Sequence, residues 1–195
     1  VFFRKDALPA DPQARDRILL RVIGSPDAYG KHIDGMGGAT SSTSKVVLVS
    51  KSTRADCDVD FLFGAVAIGE PVIDWSGSCG NLTAAVGPFA IDQGLVEARE
   101  DGIVPIRIWQ QNIGKRIVAH VPVTAGRARE DGTFELDGVA LASAEIRIEF
   151  LAPAGGGGVP LLPTGKPRDR LDVPGVGVLD ATLINAGNPT VIVTA

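Results

Sequence analysis

Two segments of this sequence bring together residue types that could do chemistry. The first is Gly35-Met36-Gly37-Gly38-Ala39-Thr40-Ser41-Ser42-Thr43-Ser44-Lys45. Its glycines invite a nucleotide-loop reading, but position 40 is Thr and a strand pattern follows where a phosphate loop opens a helix. What survives is a backbone rich in N–H groups and hydroxyls, ending in a lysine. Such groups suit a carboxylate, and a lysine desolvated beside a buried strand can give up its proton and act as a base. The same residues also fit a solvated lysine on an ordinary loop. The second segment is Ser76-Gly77-Ser78-Cys79-Gly80-Asn81, at the entry to a predicted helix. A cysteine there lies at the positive end of the helix dipole, and the adjoining N–H groups can hold an anion. A small buried cysteine beside a tight turn fits equally.

Other chemistries fit less well. Gly77-Ser78-Cys79 is a fragment of the papain-like signature, but position 80 is Gly instead of Trp, and the only downstream histidine, His120, lies in a strand pattern. His32 and His120 show no metal-ligand spacing, and no Gly-x-Ser-x-Gly elbow is present. Cys57 sits between Asp56 and Asp58, whose charges disfavour thiolate, and reads as structural. The basic run Lys166, Arg168, Arg170 is interrupted by Pro and Asp and reads as a solvated loop.

The elements that must position these residues follow from periodicity and punctuation. Asp11 as N-cap, Pro12 at the first helical position, the apolar residues Ile18, Leu19, Val22 and Ile23, and a Gly24 stop predict one helix. An irregular stretch from Ser25 to Ser44 leads into Val46-Val47-Leu48-Val49, a buried strand. Further strands are predicted over 58–68 and 72–75. A second helix, from about Gly80 to Gln93, is apolar on every side and is expected to be buried all round, with a kink at Pro88. From Val104 the pattern is strands: 104–108, 117–123 and 146–150. Asp101-Gly102, Asp131-Gly132 and Asp137-Gly138 are the expected hairpin turns, and Gly155 to Gly158 a flexible surface loop. The expected class is α+β, a mainly β-sheet domain wrapped around one buried helix.

Composition bounds the function. In 195 residues, Lys+Arg 19 against Asp+Glu 23 gives a net charge of -4, with no global drive towards nucleic acid or an anionic membrane. Apolar residues at 45% and charged residues at 22% describe a globular chain, and 5% aromatics require an aliphatic core. No apolar run approaches the roughly 18 residues of a membrane span. Two cysteines and no evident leader point to a reducing cytoplasm.

The ordered set Gly24-Ser25-Pro26-Asp27, Ile33 to Lys45, Asp74 to Asn81, Val86-Gly87-Pro88-Phe89, Asn112-Ile113-Gly114-Lys115 and Leu183 to Pro189 resembles the 2-methylaconitate cis-trans isomerase family of the methylcitrate pathway. Methylitaconate isomerase and 4-oxalomesaconate tautomerase are relatives in the same group. The resemblance implies a diaminopimelate epimerase-like fold of two lobes, each a sheet curled around a central helix, with the site in the cleft between them. It implies Lys45 and Cys79 as catalytic residues, and Ser42, Thr43, Ser44, Ser78, Gly80, Asn81 and Asn188 as substrate-binding residues. Residues 1–180 would form the first lobe and 181–195 the opening of the second, with the segment before Val1 and the rest of the second lobe missing, so that this chain alone should not turn over. No cofactor and no metal are implied. The implied partner is an unsaturated, aconitate-like tricarboxylate, and the pathway context implies an aconitase-like methylcitrate dehydratase alongside; a homo-oligomer stays open. The alternatives are a tautomerase or allylic isomerase of a related acid, and a silent carboxylate-binding lobe.

Overall fold

The computed structural model describes residues 1–98, 101–154, 160–186 and 189–194. The expected loop at Gly155 to Gly158 and the candidate residue Asn188 lie outside them. Two compact units divide the chain, Val1–Glu149 and Phe150–Ala195.

In the first unit, strand β1 (Phe2–Arg4) precedes helix α1 (Pro12–Ile23). Asp11 caps α1 by accepting the Ala14 N–H at 2.7 Å, and Gly24 closes it in the left-handed region at φ 89. A Cβ there would also touch the Gly35 backbone at 3.0 Å, so glycine is needed twice over. The chain then forms β2 (Lys45–Lys51), β3 (Val59–Val66), β4 (Ile73–Asp74) and helix α2 (Gly80–Asp92). β5 (Gly102–Gln110), β6 (Lys115–Thr124), β7 (Arg127–Ala128) and β8 (Arg147–Phe150) complete it. The sheet runs β1-β2-β3-β5-β6-β7, with β4 added to β3 and β8 to β6. β1 with β2 and β3 with β5 are parallel; β2 with β3, β3 with β4, and β5 with β6 are antiparallel.

Both faces of this sheet are covered. Val47 and Val49 join Phe61, Phe63, Val86, Ala90, Ile106, Ile117 and Val121 in the core against α2. Val46 and Leu48 point the other way and pack with Leu19 and Ile23 of α1. A strand buried on both sides reads as an unbroken apolar run, which is why Val46–Val49 was legible. Helix α2 packs on β2 at one end of the sheet order and on β6 and β7 at the other, so the sheet curls around it.

Two expectations need correction. Helix α2 is not buried all round: Thr83, Val86, Gly87, Ala90 and Ile91 are buried, Leu82, Ala84 and Phe89 are half-buried, and Ala85 is exposed. One face meets the curled sheet, where Phe2 of β1 meets Phe89 with ring centroids 5.5 Å apart and planes tilted by 43°, and the other is only partly covered. The turn signals also divide. Asp137-Gly138 does turn an excursion closed by the Phe134–Ser143 bridge. The β6–β7 hairpin, however, turns at Ala125-Gly126, both with positive φ (52 and 75). Asp101 supports that turn from outside, accepting the Ala125 N–H at 2.7 Å.

The second unit is an antiparallel sheet of β9 (Asp169–Val173), β10 (Gly177–Asn185) and β11 (Pro189–Val193), with β10 in the middle. Lys166 and Arg168 are exposed before β9, as a solvated loop should be; Arg170 is exposed too but lies in β9 itself, because it pairs with Asp180 of β10.

Candidate active site

Strand parity sets the direction of Lys45. It opens β2, and the two-residue repeat puts its side chain on the same face as Val47 and Val49, the face covered by α2. Lys45 pairs with Ala65, and Ala65 pairs on its other side with Asp74. A single row across three strands therefore carries a lysine, a small alanine and an aspartate. Asp74 accepts both the Ser76 N–H at 2.8 Å and the Ser76 hydroxyl at 2.7 Å. These Ser76 donors hold its carboxyl below the usual carboxylate range. The turn they make starts the chain towards Cys79.

Cys79 is the N-cap of α2, 9% exposed, with extended backbone. Its carbonyl receives the Thr83 hydroxyl at 2.8 Å and the Thr83 N–H at 3.2 Å, which ties the cap to the first turn. Among the described residues no side chain caps this helix N-terminus, and Gly80 and Asn81 in its first turn are exposed. Exposed first-turn N–H groups with no capping side chain are a ready anion site. Lys45 Nζ donates to Cys79 Sγ at 3.6 Å. A base-capable amine and a thiol thus meet in a half-buried contact beside an uncapped helix end.

The other predicted residues divide. Ser44 is 1% exposed, and its hydroxyl donates to the Val66 carbonyl at 2.8 Å, pinning the start of β2 to the end of β3. Its proton is therefore not offered outward. Ser42 and Thr43 are exposed in the turn before β2, where their hydroxyls contact Thr40 Oγ1 at 2.8 and 2.9 Å. Ser78 is half-buried next to Cys79.

Sequence reasoning gave no role to three residues that shape this region. Asp27 accepts N–H groups from Tyr29, Lys31 and His32, at 2.9, 2.9 and 2.6 Å, and these backbone donors hold its carboxyl below the ordinary range. Gly24-Ser25-Pro26-Asp27 carried that signal as an Asx-type turn. His32 is buried, with Nδ1 accepting the Ala39 N–H at 3.3 Å. A cleft of about 640 Å³ lies beside this loop, lined by Arg21, Ser25, Asp27, Tyr29, Lys31 and His32 among others; Lys45 and Cys79 do not line it. Trp75 is the third: its indole N–H donates to Asp16 Oδ2 at 3.2 Å, and Arg15 lies 4.7 Å over its ring.

The chain is 59% identical over 205 residues to the 2-methyl-aconitate isomerase of Cupriavidus necator, covering 100% of this chain and 52% of that protein. A crystal structure of methylitaconate-delta-isomerase superposes with a TM-score of 0.86 at 39% identity, over 100% of this chain and 49% of that one. A probable proline racemase from Agrobacterium radiobacter shares the fold alone, with a TM-score of 0.50 at 14% identity over 94% of this chain and 41% of that one. The fold is thus of the diaminopimelate epimerase-like kind. The chain spans about half the length of the curated relatives it matches. The match to the PrpF protein family runs unbroken over residues 1–195, and the chain belongs to that family.

Proposed function

We propose that the full-length protein is a cofactor-independent isomerase that interconverts cis and trans 2-methylaconitate, with Lys45 as its base. The observation that carries this reading is the 3.6 Å contact of Lys45 Nζ with Cys79 Sγ at the uncapped start of α2. The 59% identity to a 2-methyl-aconitate isomerase supports the substrate.

The chemistry follows from the groups. In the substrate, an allylic proton is acidified by conjugated carboxylates. The Lys45 amine removes it, and the electron pair delocalises into the unsaturated system as a dienolate-like anion. The former double bond then has partial single-bond character and rotates, and the lysine returns the proton to the same carbon. Nothing is oxidised or reduced. General-base help of this kind is worth roughly 10²–10⁴-fold. The Gly80 and Asn81 N–H groups, with the Ser42 and Thr43 hydroxyls, stabilise the anion. Cys79 serves as a substrate contact beside the base. The elements that carry Lys45 and Cys79 supply one wall of the cleft, and the rest of the full-length protein the other. The setting is cytoplasmic propionate catabolism.

Lys45→Ala in the full-length protein abolishes turnover of 2-methylaconitate while substrate is still bound; near-normal activity would overturn the assignment. The 39% identity to methylitaconate-delta-isomerase keeps a related allylic isomerisation as the second reading. Parallel assays on 2-methylaconitate, methylitaconate and 4-oxalomesaconate separate the two.

A further inference from the structure

One edge of β3 is shared by two strands with a gap between them. Val59–Phe61 pair with β5, and Ala65–Val66 pair with β4. Phe63 lies in the gap, and its backbone is met by a side chain. Asn112, in the turn between β5 and β6, accepts the Phe63 N–H on Oδ1 at 2.9 Å and returns Nδ2–H to the Phe63 carbonyl at 2.8 Å. It donates again to the Trp75 carbonyl, at 2.6 Å. The Gln110 Nε2 donates to Asn112 Oδ1 at 2.7 Å, while Gln110 Oε1 accepts the Ile113 N–H at 2.9 Å. Both amide protons and both acceptor positions of Asn112 are thereby used. The side chain continues the sheet ladder where no strand does, and splices β5 to the end of β4.

What it holds leads to Cys79. Residues 76–79 belong to no strand. Their entry is fixed at Trp75, whose carbonyl Asn112 holds and whose indole Asp16 holds. The Phe63 ring lies 3.8 Å from where a Cβ on Gly77 would be, so the residue whose backbone Asn112 grips also floors the segment. We propose that Asn112 is the positioning residue that sets the Cys79 cap against Lys45, an inference that rests on reading that pair as the reactive site. Aspartate at 112 has the shape but turns an acceptor towards two carbonyls. A half-buried acceptor facing acceptors forfeits the hydrogen bond and carries part of the desolvation cost as well.

The test uses alkylation by iodoacetamide, with peptide mass mapping to follow Cys79 and Cys57 separately. Both thiols are buried in the wild type, and Cys57 precedes β3 and makes none of the hydrogen bonds of this splice, so it reports global loosening. In Asn112→Asp, the Cys79 rate relative to Cys57 rises at least tenfold. Gln111→Ala, which removes a neighbouring bond to Asp60 and leaves Trp75 alone, keeps the ratio within twofold. If Asn112→Asp does not hold its fold by circular dichroism, Asn112→Ser is read the same way. A ratio within twofold of wild type, or both thiols rising together in a folded variant, overturns the proposal. In the full-length protein, Asn112→Asp lowers kcat at least tenfold with KM within threefold. A wild-type protein inert towards 2-methylaconitate would sink the functional reading, and the thiol ratio would still decide the role of Asn112.

Discussion

Gly87 sits mid-helix in α2, where glycine costs roughly 0.8–1.0 kcal/mol relative to alanine. Propensity alone therefore says that Gly87→Ala stabilises the chain. The packing says the reverse. A Cβ at position 87 would lie 2.6 Å from Val121 Cγ2 and 3.2 Å from Ala119 Cβ, both on β6. Ala119 has no rotamer to change, and Val121 is branched at Cβ and fully buried, with little freedom to turn away. Overpacking of a close-packed core costs about 1–3 kcal/mol. Less the propensity gain, Gly87→Ala loses up to about 2 kcal/mol. At about 2–4 °C per kcal/mol for a chain this size, Tm falls by a few degrees. The discriminating measurement is a double-mutant cycle by urea unfolding. Val121→Ala removes the closest contact and leaves Ala119 at 3.2 Å, so in that background Gly87→Ala becomes stabilising by up to about 1 kcal/mol. A reversal of sign is the expected result. Should Gly87→Ala stabilise the wild type, or act identically in both backgrounds, the helix is not held against β6 as described. The consequence reaches the site, because pushing α2 off the sheet carries Cys79 away from Lys45 on β2.

Three further outcomes are expected. Cys79→Ser in the full-length protein retains measurable turnover where Lys45→Ala retains none; if the two are equally dead, the cysteine is a proton donor and not a contact. Asp11→Ala costs about 1 kcal/mol by removing the cap on Ala14, and urea unfolding that shows no loss would mean α1 is fixed by Leu19 and Ile23 alone. Asp27 has a depressed folded value, so its stabilisation is fully present above the ordinary carboxylate range and is lost as pH falls through the folded value. The gap in Tm between wild type and Asp27→Asn should thus hold steady above about pH 5 and close below about pH 4. A gap unchanged at pH 3 would remove Asp27 as the organiser of its loop.

Much of the candidate site could be read locally, and the part that could not has a common cause. Lys45 was legible as a candidate because a run of small hydroxyl residues ends in a lysine beside a buried strand, though the residues alone fitted a solvated lysine as well. Cys79 was legible because Gly-rich residues before an apolar helix mark an N-terminus. Neither rule says that the two meet. That depends on register, with Lys45 opposite Ala65 and Ala65 opposite Asp74, and register is set by pairings between distant segments. The residues misjudged or overlooked fail for the same reason. Ser44 has the composition of its neighbours, yet its hydroxyl is committed to Val66, 22 residues away. Ala125 turns a hairpin at positive φ although its type gives no hint of it, because Asp101 holds its N–H from a distant turn. Asn112 looks like any turn asparagine, but its amide substitutes for a missing strand residue at Phe63. Each of these polar groups is satisfied by a partner far along the chain, and it is such long-range satisfaction, as at Asn112, that brings two legible segments to one candidate site.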